Sequence, residues 1–314
     1  MTNAPAALTN SPGRGRLGGL LRSERDCPGC NERRARVIWN ESGYSYVRCR
    51  NCSIVYANIT ADEYREARCN AWDESVLPPE VTAFYGQARA RAHREFLDAA
   101  GAPTVGGVLD VGCGLGYFLA RATARGWDAH GVDTSGPWTD TTIGKVGRDQ
   151  VTLGDVFSPD LDDRRFDLIT TWDVIEHVFE PLPFLARIRE LLAPSGALFI
   201  RTPNFHYAGP IYALRQSILR QSWATLGPTN HVVYFTAHTL RHLLQVAGLT
   251  ITSWRGFSPP QVAVTGDATR RVPDRANLTV RARNLYSAGA RELAVASLGR
   301  LVLTADLDAF ARRA

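Results

Sequence analysis

From about residue 105 onward the apolar positions follow two patterns in alternation. Short continuous runs ("GGVLDVG", 106–112; "FDLITTW", 166–172; "ALFIRTP", 197–203) take turns with stretches in which apolar residues recur every three or four positions ("YFLARATARG", "LPFLARIRELLAPSG", "TAHTLRHLLQVAG"). The runs predict strands buried on both faces, and the periodic stretches predict amphipathic helices. "DAHGVD", "QVTLGDVF" and "LTITSWRGF" read as further strands. Strands alternating with helices predict a parallel sheet covered on both sides, an α/β domain over residues 105–261. Residues 57–104 read as a helical cover, with "AFYGQARARAHREFLDAAG" ending at Gly101. Residues 204–235 break the alternation with Pro, Gly, Tyr and Trp, and such an insertion predicts a lid or an acceptor-binding segment. Residues 262–314 predict an amphipathic helical extension. The closing "DLDAFARRA" fits a helix end or an edge strand equally.

The region before the α/β domain follows neither pattern. "CPGCNERRARVIWNESGYSYVRCRNC" reads C-x2-C-x18-C-x2-C, with Cys27, Cys30, Cys49 and Cys52 as the four thiols. Two residues between cysteines let both thiolates of a turn face one ion, and two such knuckles complete a tetrahedral zinc site. "RVIWN" and "YSYVRC" read as strands around the turn "ESG", which predicts a small zinc ribbon over residues 27–56. Such a site is closed and structural. The first 26 residues are rich in Ala, Gly, Pro and Ser and read as a mobile, disordered tail. They lack the long apolar core of a secretion signal, so a reducing, cytoplasmic setting is expected, with cysteines serving as ligands rather than disulfides.

Charge changes the picture little. The net charge is +5, and Lys145 is the only lysine among 36 basic residues. Arg33, Arg34 and Arg36 form one modest cluster, read as a solvated face, and nucleic acid is left open as a partner. No apolar run approaches a membrane span. Cys69 has no sequence partner, and Cys113 reads as a small buried filler.

Candidate chemistry concentrates where strands are predicted to end. After the first strand of the α/β domain, Gly112, Gly114 and Gly116 form a G-x-G-x-G turn preceded by Asp110. Such a turn lets backbone approach a ligand closely. Asp133 ends the second strand, where a carboxylate can accept ribose hydroxyls, and Asp155 follows the third. Behind the fourth strand stands "TWDVIEHVFEP", 171–181. In a helical turn, Asp173, Glu176 and His177 would share one face. Three readings stay open: Asp173 as a helix cap, His177 as a general base, or a divalent-ion site.

"VLDVGCGLGYF", "HGVDTS", "GDVF", "FDLITTWDVIEHV" and "LLAPSGALFIRTPN", in this order and spacing, resemble the class I S-adenosylmethionine-dependent methyltransferases. The resemblance implies a Rossmann-like, doubly wound, mostly parallel seven-stranded sheet. It implies a cofactor site built from Asp110, the 112–116 turn, Asp133, Asp155 and Asp173. The D-x-x-E-H pattern is similar to the E-x-x-E-H of ubiquinone-pathway O-methyltransferases and of small-RNA 3′-end methyltransferases, whose acids and histidine bind a divalent ion. It implies a metal such as Mg at Asp173, Glu176 and His177, with His231 as a further candidate for ligation or catalysis. A zinc ribbon ahead of such a core also resembles methyltransferases of bacterial sugar and natural-product pathways. The expected function is methyl transfer to a small hydroxyl-bearing metabolite. The alternatives are a sugar or natural-product C-methyltransferase and a zinc-ribbon scaffold with a silent methyltransferase fold.

Overall fold

The computed structural model describes residues 17–41, 43–71, 89–101, 107–206, 231–255 and 306–314. Residues 207–230 of the predicted lid, the helix around residue 290 and the start of the cover helix before residue 89 lie outside them. The described chain forms two sheets.

The first sheet is antiparallel and five-stranded, in the order β1 (Leu20–Arg22), β2 (Arg34–Glu41), β3 (Tyr44–Cys49), β4 (Val55–Ala57) and β10 (Val233–Tyr234). The β2–β3 hairpin is the one that "RVIWN" and "YSYVRC" predicted. The ribbon extends further than its cysteines suggested. Residues 20–22, assigned by composition to the disordered tail, pair with Arg34–Arg36, because alternation in "LLR" offers Leu21 to the apolar side.

The second sheet has the order β11 (Leu249–Trp254), β12 (Asp306–Arg313), β9 (Leu192–Pro203), β8 (Phe166–Trp172), β5 (Val108–Val111), β6 (Ala129–Asp133) and β7 (Val151–Leu153). The five strands β9, β8, β5, β6 and β7 are parallel, and β12 runs antiparallel between β9 and β11. This is the mostly parallel seven-stranded sheet that was expected. "DLDAFARRA" is a strand, and an interior one rather than an edge. Leu307, Asp308, Ala309 and Ala311 are all buried, and Arg201 of β9 meets Asp308 directly across the ladder. That pair is bidentate at 2.6 and 2.8 Å, so two charges that pattern reasoning would place outside are satisfied inside.

Six helices are described: α1 (Ala61–Ala71), α2 (Ala90–Ala100), α3 (Tyr117–Thr123), α4 (Gly136–Val146), α5 (Pro181–Leu191) and α6 (Ala237–Val246). Their ends follow local chemistry. Gly101 closes α2 at φ +82°, and a reciprocal Thr236–Thr239 capping box opens α6. Helix α4 was not anticipated. Its apolar pattern is weak, and Ser135 at its N-cap is the signal that could have found it.

The apolar interior of the ribbon is continuous with that of the large sheet. The joint is specific. β10 pairs with β4, and the Ala57 amide donates to the Val232 carbonyl at 3.0 Å. Arg25 lays its guanidinium 3.5 Å from the centre of the Phe179 ring and donates to the Phe179 carbonyl. Tyr64 of α1 donates to the carbonyl of His177.

Candidate active site

In a parallel sheet the carboxyl ends of the strands share one edge, and ligands bind where the strand order reverses. Here that place is beside β5, whose neighbours β6 and β8 lead away in opposite directions. The glycine turn, Asp133, Asp155 and the 173–177 segment all sit on this edge.

The turn is built for close approach. Gly112, Gly114 and Gly116 have φ of +69°, +53° and +70°, values that L side chains rarely adopt. A Cβ on Gly112 would stand 2.6 Å from Val174, and one on Gly116 would stand 2.5 Å from Thr142. The glycine turn therefore packs directly against the segment that carries Glu176 and His177. Asp133 accepts the amide of Gly114 at 2.8 Å and that of Ser135 at 2.9 Å, which fixes its carboxylate toward the turn. Ser135, not Asp133, is the N-cap of α4.

Asp110 lies beneath the turn rather than in its mouth. It is buried and accepts the Thr170 hydroxyl at 2.8 Å. Burial pushes its pKa up to about 7, Asp133 adds to the rise and the Thr170 hydrogen bond opposes it. Asp155 is exposed, and its Oδ1 caps its own turn by accepting the Phe157 amide at 2.8 Å.

The segment after β8 departs from expectation at Asp173. The residue has φ +55°, a left-handed conformation that Asp tolerates better than most residues. The helical turn begins only afterwards, as a 3-10 turn over Ile175–His177 with Val174 at its cap position. Asp173 is therefore no helix cap, and the shared helical face of 173, 176 and 177 does not form. Its carboxylate pairs instead with Arg89, just before α2, at 2.5 Å. Nothing in the sequence singles out this arginine among so many.

Glu176, His177 and His231 do converge, each offering a ligand atom within 4.8 Å of the others. Two hydrogen bonds fasten this arrangement. Thr202 of β9 donates to Glu176 Oε2 at 2.9 Å, and the Val232 amide donates to the Glu176 carbonyl at 2.9 Å. Glu176 Oε1 is buried with no hydrogen-bond partner among the described residues. Burial, reinforced by Asp173, raises the Glu176 pKa well above the usual carboxylate range. Desolvation lowers His231 to about 4, so its imidazole is neutral near pH 7. The two imidazole rings meet edge to face at 4.9 Å. Beside them Trp39 and Tyr46 of the ribbon stack at 4.4 Å, next to Phe205 and Tyr234. The ribbon thus contributes directly to the wall of this site.

The four ribbon cysteines also converge, with Sγ atoms within 4.8 Å of one another and 3.5 Å between Cys27 and Cys52 and between Cys30 and Cys49. A tetrahedron of Zn–S bonds near 2.3 Å has edges of about 3.8 Å, so the set fits such an ion. Cys113 is buried against Gly131, as a filler would be. The side chain of Cys69 lies outside the described set.

Strand order, glycine turn and Asp133 together define a class I S-adenosylmethionine-dependent methyltransferase. A methyltransferase-domain family model matches residues 85–253, more than half of the chain, and the chain belongs to that family. Ubiquinone biosynthesis O-methyltransferase from Rhodopseudomonas palustris is 29% identical over 159 residues, covering 48% of this chain and 62% of the relative. The Coxiella burnetii enzyme of the same description is 31% identical over 111 residues, covering 34% and 47%. The chain therefore spans less than two thirds of these relatives. Among solved structures, Burkholderia thailandensis 1,6-didemethyltoxoflavin-N1-methyltransferase, crystallised with its acceptor and S-adenosylhomocysteine, superposes with a TM-score of 0.51. It is 18% identical and covers 84% of this chain and 97% of its own, which shows the shared fold. Among the described residues, no helix is long and apolar enough to cross a membrane.

Proposed function

We propose that the protein methylates a hydroxyl group of a small metabolite, and that Glu176, His177 and His231 prepare this hydroxyl for attack. The observation that carries the reading is the convergence of these three side chains beside the glycine turn. S-adenosylmethionine would supply the electrophilic methyl group. Asp133 would accept the ribose hydroxyls, the 112–116 backbone would lie under the methionine portion, and the 155–156 turn would meet the adenine. What remains for the protein is alignment, worth ~7–11 kcal/mol in favourable cases, and removal of one proton.

The donor set fits a divalent ion. An orphaned, buried carboxylate oxygen and two imidazoles, one held neutral by burial, are an expensive arrangement without a cation. An ion there would lower the pKa of a hydroxyl placed beside it. His231 suits a ligand better than a proton carrier, because a base of pKa about 4 takes up protons poorly at pH 7. Asp173 is not part of the set. One observation favours a metal-free version in which His177 takes the proton directly: the aspartate expected as a further ligand is tied to Arg89. Zinc at Cys27, Cys30, Cys49 and Cys52 would be structural in either version.

The test is transfer of labelled methyl from S-adenosylmethionine to a panel of phenols and alcohols. Formation of labelled ethers that is lost in His177→Ala supports the reading. Absence of S-adenosylmethionine binding by calorimetry would sink it. Loss of transfer on chelation, with recovery on adding Mg or Mn while ribbon zinc is retained, selects the metal version.

A further inference from the structure

The register of the ribbon gathers charges that the sequence scatters. Arg36 stands directly opposite Arg48, Arg22 opposite Arg34, and the Arg50 amide donates to the Arg34 carbonyl. Positions 34 and 36 on β2, and 48 and 50 at the end of β3, alternate with buried Ala35 and Cys49, so all five side chains share the outer face. All five are exposed. Only Arg34 has a carboxylate partner, Glu32 at 2.9 Å; among the described residues Arg22, Arg36, Arg48 and Arg50 form no ion pair. Like charges directly opposite in a sheet are destabilising. An anionic partner seated on the face would relieve that repulsion.

The face is not purely polar. Leu17 and Leu20 are 64% and 71% exposed, and Leu20 stands opposite Arg36. Leu17, Arg36, Arg48 and Arg50 line a shallow groove of about 400 Å³ floored by Val37 and Cys49. Three strands at about 4.8 Å spacing make a strip about 14 Å wide, which suits the 10–12 Å diameter of one helix. Guanidinium groups beside exposed leucines match an acidic, amphipathic helix. Single-stranded nucleic acid would call for exposed aromatic stacking platforms, whereas the nearest rings on this face, Tyr46 and Trp39, are stacked on each other with Tyr46 fully buried.

We infer that the outer face of the ribbon docks an acidic helix of a partner protein. Carboxylates of that helix would pair with Arg36, Arg48 and Arg50, and an apolar side chain would rest on Leu17 and Leu20. The placement has a functional consequence. β2 and β3 lie two to three strand spacings, about 10–15 Å, from β10, which begins two residues after His231. A partner docked here stands at the acceptor end of the active site, where it could present a tethered acceptor or brace the β10 segment.

The probe is a fluorescein-labelled helical peptide with glutamates flanking a leucine stripe, titrated by anisotropy with the zinc-loaded full-length chain. The expected result is binding that weakens at least ~10-fold in Arg36→Glu/Arg48→Glu, and also falls with salt. Arg36→Gln/Arg48→Gln is expected between the two. Zinc content and circular dichroism establish that each variant is folded; the neutral Gln pair removes the opposed like charges and is expected to raise thermal stability while binding weakens, whereas the Glu pair keeps two opposed like charges and is expected to gain no stability. Tighter binding of a single-stranded RNA oligonucleotide or of phosphatidylserine vesicles than of the peptide would overturn the proposal in favour of those partners. Peptide binding that emerges only after deletion of residues 1–16 would assign the face to the chain's own N-terminus and overturn it. So would peptide affinity unchanged by the glutamate substitutions.

Discussion

Replacing Asp110 by Asn should stabilise the protein at neutral pH, by an amount that grows with pH. Asp110 is buried beneath the glycine turn, and desolvation lifts its pKa from an ordinary 3.8 to about 7. A carboxyl whose folded pKa lies above its unfolded value holds its proton better in the fold. Stability from this group is full below about pH 4, declines as pH rises toward 7 and is flat above. At 1.36 kcal/mol per pK step the whole decline is about 4 kcal/mol, of which about 2.5 kcal/mol falls between pH 5 and pH 8. Asparagine is neutral throughout and still accepts the Thr170 hydroxyl, so Asp110→Asn removes the decline. The assay is urea unfolding of the zinc-loaded, cofactor-free protein at both pH values. The quantity read is the difference between variant and wild type, in which Glu176 and other titrating groups cancel. A difference that is the same at pH 5 and pH 8, or larger at pH 5, would refute the reasoning.

Four further outcomes follow from the geometry. Gly112→Ala places a methyl 2.6 Å from Val174 at φ +69°, so S-adenosylmethionine affinity measured by calorimetry should fall at least ~10-fold; adding Val174→Ala relieves the clash but not the ~1–2 kcal/mol of backbone strain, giving partial recovery. Asp308→Ala strands Arg201 inside the sheet and should cost ~3–5 kcal/mol in urea unfolding, and a loss under 1 kcal/mol would mean that water reaches the guanidinium. Glu176→Gln should abolish Mn²⁺ binding followed by electron paramagnetic resonance while leaving thermal stability unchanged or higher, since a carboxyl with a raised pKa is replaced by a neutral group. Cys49→Ser should release one equivalent of zinc and weaken the β4–β10 junction, read as faster amide exchange near Val232 and Val233; zinc retained at full occupancy would show that three thiolates suffice.

Much of the fold was legible because local pattern and tertiary role agree. Continuous apolar runs became the buried parallel strands, and Gly101, Gly126 and Thr236 mark helix boundaries where backbone chemistry demands them. The glycine turn was legible as local backbone chemistry, since φ of +69°, +53° and +70° at residues 112, 114 and 116 is what glycine permits. Legibility failed where a residue's role depends on a partner far along the chain. Asp173 reads as a cap or ligand in "TWDVIEH", yet its carboxylate is claimed by Arg89, eighty-odd positions earlier. "DLDAFARRA" reads ambiguously because Asp308 suits an exposed position until Arg201, 107 residues away, neutralises it. The basic face was half visible as Arg34 and Arg36. It became a surface only when strand register set Arg48 and Arg22 beside them.

The joining of ribbon and core gives the small sheet a reason to be present. A structural zinc site stabilises only what packs on it. Zinc at the four cysteines would thereby support β10 through β4, and β10 begins two residues after His231. The same segment gives its Val232 amide to Glu176, and Tyr64, just beyond the ribbon, donates to the carbonyl of His177. Each member of the acceptor-side cluster is thus held by a hydrogen bond from, or a short chain connection to, an element seated on the ribbon. In the other half of the site, Asp133 at the end of β6 accepts the amides of Gly114 and Ser135. On the proposed reading, cofactor binding would rest on the large sheet and acceptor activation on the ribbon as well as on Thr202 of β9, and the two halves meet where Val174 touches Gly112. Disturbing the ribbon should act on the Glu176, His177 and His231 cluster first, because the Gly114 and Ser135 amides that Asp133 accepts lie outside the ribbon.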